Sequence, residues 1–496
     1  MFERITPEQA GVSSERVYEY LTSLKRRHLP MHDLLIMKGD KVFAEFYWAP
    51  FHKDFNHRLY SQTKSYVAIA IGLLVEDGLV DLDRPAWEYF PDKIEIEMHE
   101  SLKAQTVRDM LMMATVGEAA NWFKRTDPDR VHLYFNSEKS ENLRPSGTVW
   151  GYDSAGSQVL STIVERLTGK SLFDFLYERI FSHLGTFKNA TILKTRNGDS
   201  WGDSAMVCTA RDDASFARLL MQGGKWEGKQ LISEAFVKEA TSKLIDNREL
   251  ALYDAFHTGY GYQIWRCEGK GFAFLGMGNQ LTVCLPEKDI VFVCNADSQG
   301  VAEVHRALIV GNFLDMVERF MQDSPLPENK EAYDKLMREG EDLELFAVQG
   351  NPDSPLREQI NGRVYDCPKN DMGITEFSFR FESEREGELV YVNAQGEKHL
   401  PFSVNANRFG KFPQLGYSDG YGGARTEGGF TYDDAVSFAW MDDNRIMLYV
   451  QIIDRYFGNC TMIFGFKGDY CTLVMRKTAE DFLEEYQGAT VAKRRK

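Results

Sequence analysis

The sequence predicts an α+β domain followed by a separate all-β domain. Three observations carry this. A hairpin pattern over 32–48 precedes a long apolar helix, and strand-like segments return only after residue 260, so strands and helices are segregated, as in an antiparallel sheet with flanking helices. A linker-like break, Ser324-Pro325-Leu326-Pro327, then interrupts the chain. Beyond it, 357–476 reads as short alternating strands with glycine turns and no helix between them, the pattern of a small barrel.

Segment 9–27 carries Val12, Val17, Tyr20, Leu21 and Leu24 at helical spacing. Leu34 to Met37 and Lys41 to Tyr47 form the two arms of a hairpin about Lys38-Gly39-Asp40. The unbroken apolar run Val67 to Val75, ending at Gly78, predicts a helix over 61–77 buried on most sides. Helical sequence at 106–114, 152–168 and 170–182 makes an all-helical subdomain, and another helix, 209–223, follows the small-residue stretch at Ser204. Strands are expected at 260–266, 272–276, 280–285 and 289–294, and an amphipathic helix at 301–321 closes the first domain, set at 1–323. Residues 324–356 read as a linker with a short charged helix, and 357–488 as the all-β domain. Its strands include Glu376–Phe381 and the runs 389–392, 435–440 and 445–450, and a short helix at 478–486 is expected to end it.

The 496 residues carry a formal net charge of -16, which argues against a nucleic-acid partner. Lys493-Arg494-Arg495-Lys496 reads as a solvated tail. No apolar leader is seen at the N-terminus, and no run is long enough to span a bilayer, so no membrane partner is expected. The seven cysteines are scattered, without C-x-x-C, which suits reduced thiols and a cytoplasmic location and offers no zinc site.

Two stretches carry chemistry. Ser61-Gln62-Thr63-Lys64 opens the apolar helix, so a hydroxyl and an amine three residues apart share one face at a helix N-terminus. The dipole there disfavours a cation, which suits an amine that accepts the Ser61 proton and leaves an activated nucleophile. Tyr152 follows the turn Pro145-Ser146-Gly147 and stands just before a helix, where a phenol can point into a cleft and shuttle a proton.

These stretches, the continuation Leu167-Thr168-Gly169-Lys170-Ser171, the segments at 204–212 and 223–231, and Gly259-Tyr260-Gly261-Tyr262 follow one another over about residues 5–320. Together they resemble the serine β-lactamase and penicillin-binding-protein superfamily, closest to its class C, esterase and D-aminopeptidase branch. The resemblance implies a β-lactamase-like fold and a serine hydrolase working through an acyl-enzyme, with Ser61 as nucleophile, Lys64 and Tyr152 sharing proton transfer, and no cofactor. Trp150 and Ser154, flanking Tyr152, are then expected at the substrate, a small molecule or short peptide. The family's third motif lies on an edge strand. His257-Thr258-Gly259 precedes the wrong strand, so the place falls to Phe274-Leu275-Gly276-Met277-Gly278, with Gly276 or Met277 giving the second oxyanion N–H and Gly278 beside them.

Two departures favour an esterase, amidase or peptidase over a β-lactamase. No lysine or histidine occupies the motif strand, and Ser154 replaces an asparagine common in relatives. A class C-like β-lactamase is one alternative. A non-catalytic or singly acylating sensor of the same fold is the other. The C-terminal domain resembles the lipocalin-like barrel of some D-peptide-cleaving members, and Tyr417, Tyr421, Arg425 and Arg455 are candidates for a lid that meets a substrate carboxylate. Substrate identity and oligomeric state are not legible.

Overall fold

Strands buried on both faces organise the first unit. The computed structural model describes residues 2–117, 129–136, 144–248, 255–268, 270–415, 431–454, 457–479 and 486–496. The chain divides into two units, residues 1–344 and a second beginning at Leu345.

The sheet of the first unit comprises β1 (Glu3–Arg4), β2 (Met31–Lys38), β3 (Lys41–Tyr47), β4 (Trp265–Cys267), β5 (Gly271–Gly276), β6 (Gln280–Leu285) and β7 (Ile290–Ala296). Their order is β1-β3-β2-β7-β6-β5-β4, antiparallel except for the edge pair β1–β3. Successive side chains of a strand point to opposite faces, and both faces here are apolar. Leu34, Ile36 and Phe292 face one core with helices α1 (Ser14–Arg26) and α6 (Ala302–Phe320), where Phe292 packs 4.3 Å from Phe313. Leu35, Met37, Val291 and Val293 face the other, with α2 (Thr63–Glu76), α4 (Ser154–Thr168) and α5 (Ala210–Met221). Short helices between α2 and α5, among them α3 (Arg130–Asn136), form the helical part.

The charged helix after the proline break is α7 (Lys330–Glu341). It packs within this unit: Leu336 is buried with the α1 core, and Lys25 pairs with Glu339 at 2.7 Å. Of the strand expected at 260–266 only Trp265 and Arg266 lie in β4. Gly259 and Gln263 take positive φ, and a side chain on Gly261 would meet the Ala240 carbonyl at 2.0 Å, so this stretch coils before the strand begins. Among the described residues no helix is long and apolar enough to cross a membrane. All seven cysteines are free thiols.

The second unit is a closed barrel. Its strands are β8 (Val364–Asp366), β9 (Glu376–Phe381), β10 (Glu386–Asn393), β11 (Gly396–Val404), β12 (Arg408–Leu415), β13 (Thr431–Trp440), β14 (Arg445–Ile453), β15 (Phe457–Lys467), β16 (Tyr470–Ala479) and β17 (Gly488–Arg494). The ring runs β13-β14-β15-β16-β17-β8-β9-β10-β11 and closes where Ser403 and Val404 pair in parallel with Ser437 and Phe438. β12 also pairs with β13, along its earlier residues. Inward-facing rings fill the barrel: Phe402 stacks on Phe438 at 4.5 Å, and Phe379 meets Phe464 edge-on at 4.9 Å.

The chain end differs from expectation. Residues 478 and 479 finish β16 in place of starting a helix, and Lys493 and Arg494 belong to β17, which completes the ring. Arg494 pairs with Asp469, and Arg495 with Asp366 and Glu376. Only Thr490 and Ala492 of β17 are buried, too small to print a hydrophobic signal beside so many cations.

Candidate active site

Helix α2 is apolar all round, and Tyr66 to Leu74 are fully buried. A helix held on every side has a fixed N-terminus, and the polar residues there are pinned one by one. The Thr63 hydroxyl donates to the Tyr60 carbonyl at 2.6 Å and accepts from the Met206 N–H at 2.8 Å. The Ser65 hydroxyl donates to the Gln263 carbonyl at 2.7 Å. The Gln62 side-chain carbonyl accepts from Thr282 at 3.1 Å. Thr282 and Tyr66 also bond the buried Asp213, whose carboxyl burial pushes up to about 6.

Ser61 lies two residues before α2, in the 3-10 turn Tyr60–Gln62, and not in the first α-helical turn that its sequence pattern suggests. It is half-buried, so its hydroxyl is reachable. The residue before it, Tyr60, has φ +48°, a left-handed conformation that is costly for an aromatic residue and typical of functional turns. Arg58 holds it there. Its guanidinium lies 4.2 Å from the Tyr60 ring centroid and 4.5 Å from that of Trp201, and donates to the Ser204 carbonyl at 2.9 Å and hydroxyl at 3.1 Å.

Lys64 is 2% exposed and turns back over this turn. Its Nζ donates to Ser61 Oγ at 2.9 Å and to the Asp203 carbonyl at 2.5 Å. The amine lies over the Tyr152 ring, whose centroid is 5.1 Å from Nζ. Asp153 explains that placement. It caps α4 by accepting from the Gly156 N–H at 2.9 Å, and its other oxygen accepts from the Thr115 hydroxyl at 2.7 Å. Ser154, the first residue of α4, is buried beside it.

Aromatic rings continue the wall. Tyr152 stacks on Trp265 at 5.9 Å, Trp150 meets Trp265 at 5.5 Å, and buried Tyr260 meets Trp265 edge-on at 5.2 Å. The Trp150 indole N–H has no hydrogen-bond partner among the described residues. His257, set aside as a motif residue, stacks on the same Trp265 ring at 6.1 Å.

Gly276 ends β5 directly against the nucleophile turn. A Cβ on it would lie 2.1 Å from the Leu59 carbonyl, so only glycine permits this approach. Met277 is exposed and Gly278 has φ +77°, which turns the chain into β6. Phe274 and Leu275 of strand β5 are buried. The structure thus brings together Ser61, Lys64, Tyr152, Trp150 and the turn at Gly276. Tyr417, Tyr421, Arg425 and Arg455 lie outside the described residues.

Sequence reasoning missed Arg58, Tyr60 and Asp203. A positive φ on tyrosine leaves no mark in a sequence. An acid inside the small-residue stretch Gly202-Asp203-Ser204-Ala205 was the one available signal for Asp203.

A family model described as Beta-lactamase matches residues 22–310, more than half of the chain. The chain belongs to the β-lactamase family. It is a β-lactamase-related serine hydrolase. A relative from Paenarthrobacter ureafaciens, named 6-aminohexanoate-dimer hydrolase, is 29% identical over 314 residues, covering 58% of this chain and 78% of that protein. A solved structure from Bacillus anthracis, provisionally described as a 6-aminohexanoate-dimer hydrolase, superposes with TM-score 0.52 at 19% identity, covering 65% of this chain and 89% of the other. One from Bacteroides dorei, provisionally described as a β-lactamase, gives TM-score 0.51 at 16% identity over 62% of this chain and 100% of the other. These likenesses are to the fold of the β-lactamase family.

Proposed function

We propose that this β-lactamase-family chain hydrolyses small esters, amides or D-amino-acid-containing peptides through an acyl-enzyme on Ser61. The observation that carries the reading is the 2.9 Å hydrogen bond from Lys64 Nζ to Ser61 Oγ, with the Tyr152 ring over the same amine. An amine in that place accepts the Ser61 proton as the hydroxyl attacks the carbonyl. Tyr152, reached by way of the amine, passes the proton to the leaving group. The Ser61 N–H and an N–H at Gly276 or Met277 hold the developing oxyanion, a role supported by the close packing of Gly276 on Leu59. Trp150, Ser154 and Trp265 contact the substrate.

The apolar Phe274 and Leu275 at the motif strand disfavour a β-lactam, whose carboxylate needs a cation there. The aromatic wall suits an extended, mostly apolar acyl or amine chain, and the relative named for the 6-aminohexanoate dimer makes linear amino-acid amides worth including. A panel of p-nitrophenyl esters, D- and L-amino-acid amides, linear ω-amino-acid amides and nitrocefin tests the reading. We expect turnover of at least one ester or amide and far lower efficiency on nitrocefin. Nitrocefin turned over as well as the best ester would contradict it.

A further inference from the structure

One carboxylic acid beside the candidate nucleophile has no part in the scheme above. Asp203 is 1% exposed, and among the described residues no other residue gives either of its side-chain oxygens a hydrogen bond. Buried carboxyl groups are almost always satisfied, so one without a protein partner leaves its lone pairs to water or substrate. The main chain at Asp203 is closely placed against the nucleophile turn. Its own carbonyl accepts Lys64 Nζ at 2.5 Å, and that nitrogen is 2.9 Å from Ser61 Oγ. The preceding Gly202 is wedged against α4 and α2, where a Cβ would lie 2.2 Å from Ser161 and 3.2 Å from Val67. Burial pushes the Asp203 carboxyl up, and Lys64 of α2, Arg130 of α3 and Arg58 before the nucleophile turn pull it down. Among the described residues these three cations are the charged groups that act on it.

We infer that Asp203 is the base of deacylation: it holds the water that hydrolyses the Ser61 acyl-enzyme and takes that water's proton. The inference rests on the acyl-enzyme reading above. Once Ser61 Oγ is esterified it has no proton to give, and an attacking water needs an acceptor. An ionised carboxylate accepts only, and among the described residues no other residue occupies the acceptor sites of Asp203. In the step, one water O–H bond breaks as its proton goes to the Asp203 carboxylate, and the water oxygen bonds to the acyl carbon. Collapse of the tetrahedral adduct breaks the carbon–Oγ bond. The proton then passes from Asp203 through an intervening water to the departing Ser61 Oγ, so acid leaves and Asp203 and Ser61 return to their starting states.

The test uses Asp203→Asn in the full chain, with a p-nitrophenyl ester followed by stopped flow and intact-protein mass spectrometry. The variant is expected to label with a fluorophosphonate and release its first p-nitrophenol within a few-fold of wild type. Its deacylation should fall by roughly 10²–10⁴-fold, so that the Ser61 acyl-enzyme accumulates. Hydroxylamine, a nucleophile that attacks without a base, should restore release. Unchanged deacylation would overturn the assignment, and so would acylation and deacylation falling together, the mark of a structural role. If Asp203→Asn does not fold, wild-type deacylation followed against pH decides: it should fall on acidification as one carboxylate is protonated, and a flat profile overturns the proposal. A wild-type enzyme that never acylates Ser61 would instead remove the reading beneath it.

Discussion

The inside of the barrel and the ground beneath Ser61 are both buried, and they are filled in opposite ways. Phe377, Phe379, Phe402, Phe438 and Phe464 occupy the barrel and need no partner but one another. Under Ser61 the buried groups are Lys64, Arg58, Gln62, Thr63 and Asp203. Ring packing stabilises in proportion to area and tolerates local change. A buried amine or guanidinium is tolerated only where hydrogen bonds hold it, which is why each residue from Gln62 to Ser65 has a named partner. The barrel interior concentrates closure and the ground beneath Ser61 concentrates chemistry.

The comparison breaks most visibly through Lys64. Lys64→Ala should remove most of the ester turnover, because an unassisted serine hydroxyl is a weak nucleophile. Tyr152→Phe should lower the rate by roughly 10²–10⁴-fold while the thermal melt stays near wild type. The double variant should lose far less than the two losses combined, since groups that act as a unit are not additive. Full turnover by Tyr152→Phe would detach that residue from the chemistry.

The converse applies to the barrel. Phe438→Ala removes a buried ring and should destabilise the second unit by about 3–5 kcal/mol, read from the denaturant transition followed by Trp440 fluorescence. The rate of fluorophosphonate labelling below that transition should not move. A fragment ending at Glu344 should label as well, because every proposed catalytic group lies before that residue and α7 is packed within the first unit. A folded fragment that does not label would place a catalytic group beyond residue 344.

The smallest effect concerns Asp434, among the described residues the one buried acid on the same face of β13 as Phe438. Burial pushes Asp434 up to about 7. Its folded pKa therefore lies above its unfolded one, and the native barrel keeps a proton that the unfolded chain gives up between about pH 4 and pH 7. Stability of the second unit should fall as pH rises through that window and level off above it. Asp434→Asn should flatten the change by roughly 2 kcal/mol between pH 5 and pH 8. An unaltered pH slope in Asp434→Asn would show that other groups set it.

The two regions were also unequally legible in the sequence. The barrel strands announce themselves by alternation, as in Glu376–Phe381, which the structure reproduces. β17 does not, because its buried residues are Thr490 and Ala492. At the site, Ser61 and Lys64 were visible because the apolar run behind them defines a helix and three residues define a face. The place of Gly276 was visible from the strand leading into Pro286. What surrounds them was not. The left-handed Tyr60, the Arg58 that holds it and the buried Asp203 come from parts of the chain about 145 residues apart in sequence, and tertiary packing alone decides which polar groups are buried together.

The central claim is that Ser61 carries the acyl group. Intact-protein and peptide mass spectrometry after a slow ester tests it most directly. The account predicts one acyl group per chain, on the peptide containing Ser61, and none in Ser61→Ala with its fold preserved. Acyl on another serine, or an Ser61→Ala chain that still acylates, would contradict it.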